Sequence, residues 1–266
     1  MTEILRVDRP ERGVVMLTLN RPRQLNALNG ALVDELLAAL ESVDGEWPDT
    51  GVIVLNGAGR AFCAGVDLKW VNSGVLQDPA AHNAFHDKLN ELCHRLESAR
   101  QVVVAAVHGY AVAGGFELLL ACDLVIAAKN ACMGDNHIRH NFLPAAGGSQ
   151  RLPRKIGVPR SLYLLLTGHR MDGDEALRCG LACESVEESE LIGTAMKLAR
   201  GIAGSDARAL SSMKSLVRRG MELPLAEALW IELHEQHRYR SASAALEQGV
   251  ADFANRDTGI SAQPPT

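Results

Sequence analysis

A glycine pair followed closely by a glutamate stands out in segment 105–127, AAVHGYAVAGGFELLLACDLVIA. A β-branched run leads through Gly114 and Gly115 into an apolar stretch, so the pair is predicted to open a helix. Glycine lets a ligand approach the backbone closely, and unpaired N–H groups at a helix N-terminus stabilise an oxygen that gains negative charge. The segment therefore predicts an oxyanion hole.

Glu117 lies two residues beyond the glycine pair, between Phe116 and a run of leucines. Apolar surroundings raise the pKa of a carboxyl group, which suits proton transfer near neutral pH. The alternative is that the carboxylate only complements the dipole in the first turn of its own helix. The segment alone supports both interpretations, and it makes Glu117 a candidate acid/base.

A second segment, NGAGRAFCAGVDL at 56–68, follows a β-branched run and is rich in small residues. Gly57 and Gly59 have the spacing of a nucleotide-binding loop, but Phe62 stands where the third glycine is due and no Lys-Ser/Thr pair follows. A nucleotide loop is therefore not expected. What remains is accessible backbone at 64–66, which can hydrogen-bond a ligand.

Composition narrows the class of protein. With 266 residues and 47% hydrophobic content, the chain can bury a full core without disulfides or metals. The net charge of −5 and the scattered basic residues argue against a nucleic-acid partner. The six cysteines have no metal-ligand or C-x-x-C spacing, and neither a signal peptide nor a membrane-spanning run is recognisable. We expect a soluble, cytoplasmic protein with reduced cysteines.

The first half of the chain alternates short β-branched runs with amphipathic segments, which predicts an α/β fold. The predicted strands are 14–20, 52–56, 102–107 and 124–128, and the predicted helices between them are 31–43 and 81–98. In the first helix Leu32, Leu36, Leu40 and Val43 share one face, with Asn29 as its cap.

After residue 157 the pattern changes to helix upon helix, interrupted by one short strand at 181–186. Residues 1–200 are expected to form the core with the ligand pocket, and residues 201–266 a helical region with a disordered polar tail, GISAQPPT. The predicted helices are 161–167, 172–179, 187–203, 206–219, 225–238 and 241–253.

Six segments in order carry a family resemblance over nearly the whole chain. They are LNRPRQLNAL (19–28), GAGRAFCAGVDL (57–68), AAVHGYAVAGGFELLLACD (105–123), LPAAGGSQRLPRKIG (143–157), LTGHRMDGDEALRCGLA (166–182) and a late F-x-x-R (253–256). The chain resembles the enoyl-CoA hydratase/isomerase (crotonase) superfamily. That resemblance implies a spiral of repeated β-β-α turns and a C-terminal helical region used in trimerisation, often within a dimer of trimers.

The resemblance also implies roles for individual residues. The N–H groups of Val66 and Gly114 would form the oxyanion hole around an acyl-CoA thioester carbonyl, and Glu117 matches the first of two catalytic glutamates. It implies no metal and no cofactor other than the coenzyme A of the substrate. The CoA-binding positions would be Arg23, Leu25, Ala64, Asp67 and Leu68, with Phe253 and Arg256 closing over CoA, in some members across a subunit interface.

The sequence departs from the family at the second catalytic glutamate. The pattern G-x-P-E-x-x-x-G-x-x-P becomes GDNHIRHNFLP at 134–144, so His137 stands at the glutamate position, Asn136 at the proline and Asn141 at the second glycine. A hydratase needs one group to take a proton from water and another to protonate the α-carbon. The common Δ3,Δ2-enoyl-CoA isomerases rely mainly on that glutamate and are also disfavoured.

Three interpretations of His137 compete. Imidazole can transfer protons near neutral pH, and Asp135 would lie on the same side if the backbone is extended, which would make an acid/base pair. A zinc site with His140 has little support without a third ligand. Alternatively, His137 only shapes the pocket.

These observations together favour an enoyl-CoA hydratase-like enzyme that stabilises a thioester enolate. An isomerase, a C–C-cleaving homologue and a noncatalytic acyl-CoA binding protein remain the alternatives. The basic cluster at 151–155 is expected to be a solvated or interface face.

Overall fold

The computed structural model describes residues 3–255. Its strands are β1 (Leu5–Glu11), β2 (Val14–Leu19), β3 (Val52–Gly57), β4 (Ala61–Cys63), β5 (Val102–Val107), β6 (Tyr110–Val112), β7 (Leu124–Ala128), β8 (Cys132–Gly134) and β9 (Glu184–Val186). Its α-helices are α1 (Gly30–Gly45), α2 (Leu68–Trp70), α3 (Pro79–Ser98), α4 (Gly114–Ala121), α5 (Gly148–Ile156), α6 (Val158–Thr167), α7 (Gly173–Arg178), α8 (Leu191–Ala203), α9 (Ala207–Gly220), α10 (Leu225–Ala242) and α11 (Ala245–Asn255).

The larger sheet has six strands in the order β1-β2-β3-β5-β7-β9, with β1 antiparallel to β2 and every other pair parallel. Val14, Val52 and Val102 align across three adjacent strands. Every residue of β5 is buried, as expected for a central parallel strand covered on both faces. The predicted strands are confirmed, while β1 escaped prediction because most of its side chains are polar and at least partly exposed.

A second, smaller parallel sheet has three strands in the order β4-β6-β8, which is also their order along the chain. Its strands have three residues each, which is too short for a period-two pattern to predict. Each long strand β3, β5 and β7 is followed by one of these short strands, and helices follow in turn. The α/β class and the repeated β-β-α turns are therefore confirmed.

The predicted helix faces are confirmed as well. Asn29 caps α1 by accepting the N–H of Leu32 at 3.0 Å, and the predicted apolar face of α1 is buried. The helices predicted after residue 157 are present, with ends shifted by a few residues. Helix α5 was missed because its polar residues and internal Pro153 interrupt any apolar periodicity. None of the helices in residues 3–255 combines the length and hydropathy of a transmembrane span.

The chain divides into two compact units between Ala207 and Arg208. The boundary expected near residue 200 falls within α8, which buries Leu191, Ala195 and Ala199 and contacts β3, β5 and β7 of the large sheet. The second unit consists mainly of α9, α10 and α11. The polar tail at 259–266 lies outside the described residues.

Gly115 in α4 packs directly against the end of β4. A Cβ added to Gly115 would lie 2.8 Å from both the carbonyl carbon and the Cβ of Cys63, closer than real atoms approach. The sequence had suggested ligand approach for both glycines of the pair. At Gly115 the missing side chain instead allows α4 to lie close to β4.

We expect Gly115→Ala to lower the free energy of unfolding by about 1–3 kcal/mol, because the added methyl group meets buried backbone that cannot move away. Gly193→Ala is the matched control, since Gly193 is an exposed position of α8 with open space around its Cα. That change should add about 0.5–1 kcal/mol through helix propensity. Urea denaturation measures both, and equal stability of the two variants would contradict the packing argument.

Candidate active site

Three loops meet at one edge of the small sheet. They are residues 64–67, 113–114 and 135–137, which follow β4, β6 and β8. Because the three strands are parallel, their carboxyl ends lie on the same side, where ligands bind in open α/β sheets. The fold thus brings together the segments that the sequence singled out separately.

The first two loops touch through their backbones. Gly65 has a φ of +91°, and a Cβ there would lie 2.9 Å from the carbonyl oxygen of Val112 and 3.2 Å from the nitrogen of Gly114. Ala113, which precedes α4, is held at a φ of 50° and a ψ of −123°, a rare conformation for a residue with a side chain. The contact therefore depends on a glycine in one loop and on backbone strain in the other.

The N–H groups of Val66 and Gly114 take no part in the local backbone pairing. The N–H of Leu28 donates to the carbonyl of Gly65 at 2.7 Å, and the N–H of Asp67 donates to the carbonyl of Leu28 at 2.8 Å. The N–H of Val66, which lies between Gly65 and Asp67, is not used in this pairing. Within residues 3–255 neither the Val66 nor the Gly114 N–H donates a hydrogen bond. A Cβ on Gly114 would lie 3.6 Å from the nitrogen of Val66, so these two free donors are close neighbours.

Glu117 is buried, with 1% of its surface exposed, and its carboxylate faces the N-terminus of another helix. Its Oε1 accepts the N–H of Ala146 at 2.8 Å and that of Gly148, the first residue of α5, at 2.9 Å. Burial raises the pKa of Glu117, although these N–H donors and the charge of His137 oppose the rise. The carboxylate therefore caps α5, which is more than the first-turn complement to α4 considered from the sequence.

His137 lies between two carboxylates. Its Nδ1 is 2.9 Å from Oδ1 of the buried Asp135, and its Nε2 is 3.9 Å from Oε2 of Glu117. A carboxylate only accepts, so Nδ1 carries the proton and Nε2 faces Glu117. Burial opposes charging of the imidazole, but the hydrogen bond and charge of Asp135, with a contribution from Glu117, raise the pKa of His137 above its ordinary value.

The pairing of Asp135 with His137 has a different backbone origin from the extended chain assumed for the sequence. Asn136 between them is left-handed, with a φ of 63°, and His137 begins a 3₁₀ turn. The Asn136 Oδ1 accepts the Nε–H of Arg170 at 3.0 Å, which fixes this turn. Proline cannot adopt a positive φ, so the family's proline would not fit the backbone that this chain has at Asn136.

Asn141 closes the same turn in a left-handed conformation, with a φ of 57°. The family pattern has glycine there, and asparagine is one of the few residues that adopt this conformation readily. The zinc interpretation of His137 and His140 finds no third ligand: residues 3–255 contain no group of three His, Cys, Asp or Glu side chains that could hold a metal ion.

Two of the predicted CoA-binding residues, Leu25 and Ala64, are in direct contact. The N–H of Ala64 donates to the carbonyl of Leu25 at 3.0 Å, Leu68 is 51% exposed, and Arg23 is exposed. The buried Asn26 holds the loop by donating to the carbonyl of Ala61 at 2.7 Å. A CoA-binding role for these residues stays a prediction.

Asp67 uses both carboxylate oxygens within the protein. Oδ2 pairs with the guanidinium of Arg21 at 2.8 Å, and Oδ1 accepts the N–H of Trp70 at 3.2 Å as the cap of α2. No local pattern indicates Arg21 as this partner, because the two residues are 46 positions apart. Asp67 therefore shapes the loop, and its contact with CoA stays a prediction.

Phe253 lies on α11 in the second unit and is exposed. Arg256 lies outside the described residues. Their expected closure over CoA stays a prediction.

Comparison with known proteins places these features in a family. The family model for enoyl-CoA hydratase/isomerase matches residues 9–259. A probable enoyl-CoA hydratase of Mycobacterium bovis is 38% identical over 256 residues, covering 96% of each chain, and one of Rhizobium meliloti is 40% identical over 242 residues, covering 90% of this chain and 91% of the relative.

A solved structure of an enoyl-CoA hydratase is also similar to this chain. The crystal structure of an enoyl-CoA hydratase from Bacillus anthracis matches with a TM-score of 0.90 at 35% identity, covering 95% of this chain and 96% of that one. The match extends over nearly the whole length of both proteins, so it concerns the complete fold and not a shared motif. The chain therefore belongs to the enoyl-CoA hydratase/isomerase family, within the crotonase superfamily.

Proposed function

We propose that the protein is an enoyl-CoA hydratase-like lyase, which adds water to the double bond of a 2-enoyl-CoA or removes it. The observation that carries this proposal is the pair of proton-transfer groups, Glu117 Oε2 and His137 Nε2, 3.9 Å apart. The names of the relatives, enoyl-CoA hydratases, support the same reaction.

One water molecule can serve both groups. Atoms 3.9 Å apart both lie within hydrogen-bond reach of a single oxygen about 2.8 Å from each. In the hydration direction, the Glu117 carboxylate takes a proton from this water while its oxygen bonds to the β-carbon of the enoyl group. The electron pair of the double bond moves to the thioester as an enolate, and the imidazolium of His137 then protonates the α-carbon.

The enolate oxygen requires donors that are not already engaged. We assign this role to the N–H groups of Val66 and Gly114, whose lack of an internal acceptor supports the assignment. The CoA portion would lie along Arg23, Leu25, Ala64 and Leu68, with Asp67 supporting the loop. Binding energy from this remote part of the substrate would hold the enoyl group in place.

Turnover of a panel of 2-enoyl-CoAs, with calorimetric binding of acyl-CoA and of the free acid as control, tests the reaction. We expect turnover in wild type and a preference for the thioester. Glu117→Gln keeps an oxygen for the Ala146 and Gly148 N–H groups but cannot accept the proton. It should lower kcat by about 10² to 10⁴ and leave thioester affinity nearly intact. Thioester binding without any turnover in wild type would instead indicate a noncatalytic acyl-CoA binding protein.

Replacement of His137 tests the second group through pH dependence. If the imidazolium is the acid, hydration slows as pH rises through the pKa of His137, which lies above its ordinary value. His137→Ala should lower kcat and remove this basic limb, whereas His137→Glu should retain or raise crotonyl-CoA hydration. An unchanged rate and pH profile in His137→Ala would assign the residue a purely spatial role.

We also propose that the protein is a homotrimer or a dimer of trimers, with the second unit contributing to the interface. Leu225, Leu229, Trp230 and Leu233 of α10 are all more than half exposed in the single chain. Such a set of large apolar side chains favours burial against another subunit. Multi-angle light scattering at micromolar concentration should give the mass of three or six chains, and a monomer would contradict the proposal.

A further inference from the structure

Arg151 of α5 and Glu97 of α3 form a partly buried ion pair behind Glu117. Arg151 donates from Nε at 3.1 Å and from Nη2 at 2.8 Å to the same carboxylate oxygen of Glu97, Oε2. The side chains are 17% and 29% exposed. The basic cluster at 151–155 is expected to be a solvated or interface face, whereas Arg151 is held by Glu97 of the same chain and is mostly buried.

The third arm of the guanidinium reaches the loop that binds Glu117. Nη1 of Arg151 donates to the carbonyl oxygen of Ala146 at 2.8 Å. The N–H of the same Ala146 donates to Oε1 of Glu117 at 2.8 Å. Glu97, Arg151, Ala146 and Glu117 are therefore connected by consecutive hydrogen bonds.

The turn between these contacts is closely surrounded by side chains. Gly147 has a φ of +99°, and the guanidinium of Arg151 occupies the space that a Cβ on Gly147 would need. On the other side, a Cβ on Gly148 would lie 2.5 Å from Oδ2 of Asp135 and 3.3 Å from Oε1 of Glu117. The turn is thus fixed between Arg151 and the two carboxylates of the site.

We propose that the Glu97–Arg151 pair positions the turn at 146–148 so that both N–H groups bind Oε1 of Glu117 and leave Oε2 to the reacting water. This inference rests on the proposed function, because it assigns the two oxygens of Glu117 different tasks in water addition. Arg151 is a positioning residue: it contacts the loop and not the substrate.

The geometry requires arginine in this position. The guanidinium is planar and offers its N–H groups in a fixed fork, so it binds the Glu97 carboxylate and the Ala146 carbonyl together. A lysine ammonium lacks this fork. Misplacement of a reacting group by about 1 Å can cost about 10²-fold in rate, so a looser turn should be visible in kcat.

The test compares Arg151→Gln with Arg154→Gln. Arg154 lies on the same helix, is exposed and donates to the carbonyl of Gln150, so it controls for loss of a positive charge from α5. We expect Arg151→Gln to lower kcat by about 10- to 100-fold with a small change in KM, while Arg154→Gln behaves as wild type. The acidic limb of the pH–rate profile should move to higher pH, because Glu117 loses ordered donors and a nearby cation and binds its proton more tightly.

Two further variants test whether a loss of activity in Arg151→Gln comes only from a folding defect. Arg151→Lys keeps the charge and should still lower kcat, and Glu97→Gln keeps one acceptor oxygen and should give a smaller loss in the same direction. If the variants lose thermal stability while kcat and the pH profile stay as in Arg154→Gln, the pair is structural and the proposal is overturned.

A second measurement separates this inference from the proposed reaction. In protein labelled with ¹³C at the glutamate carboxyl carbons, the Glu117 signal is identified by its absence in Glu117→Gln and titrated by NMR. Arg151→Gln should shift the Glu117 titration to higher pH whether or not the protein turns over an enoyl-CoA. Absence of turnover with a shifted titration would refute the reaction alone, and an unshifted titration would refute the positioning role.

Discussion

The site depends on a buried carboxylate held by the beginning of a helix. Glu117 lies under the small sheet, where an isolated charge would be costly, and the N–H groups of Ala146 and Gly148 offset part of this cost. Burial nevertheless remains the largest influence and raises the pKa of Glu117. Burial therefore favours the protonated form of this carboxyl group, while its Oε1 is held by two backbone N–H donors.

The position of His137 depends on the backbone around it. Its Nδ1 lies 2.9 Å from Oδ1 of Asp135, and Asn136 between the two residues turns the chain with a positive φ. Arg170 holds Asn136 from the neighbouring segment, so the local departure from the family pattern is internally consistent.

Much of the fold could be predicted from the sequence, and the reasons are physical. The long strands β2, β3, β5 and β7 consist mostly of apolar residues. Helix α1 has a recognisable N-cap residue and one apolar face. The strands β4, β6 and β8 are too short for periodicity, so their sheet could be expected only from the family resemblance. The role of α5 in the site could not be predicted, because its contacts come from backbone N–H groups at its N-terminus and from Arg151.

The candidate site was predictable in its side chains and less so in its geometry. Glu117 lies in a segment that the residue pattern marked, whereas the roles of Val66, Gly114 and His137 were implied by the family resemblance. The partnership of Arg21 with Asp67, and that of Arg151 with Glu97, join residues far apart in the chain. Neither partnership leaves a local pattern, since charge complementarity acts only after folding brings the residues together.

The segments that follow the three short parallel strands supply the groups of the site: a backbone N–H after β4, a backbone N–H and Glu117 after β6, and His137 after β8. A side chain in the loop after β8 can therefore differ without displacing the backbone N–H groups that follow β4 and β6, since these groups lie on other strands. In this chain the departure from the family pattern at Asn136, His137 and Asn141 lies in the loop after β8.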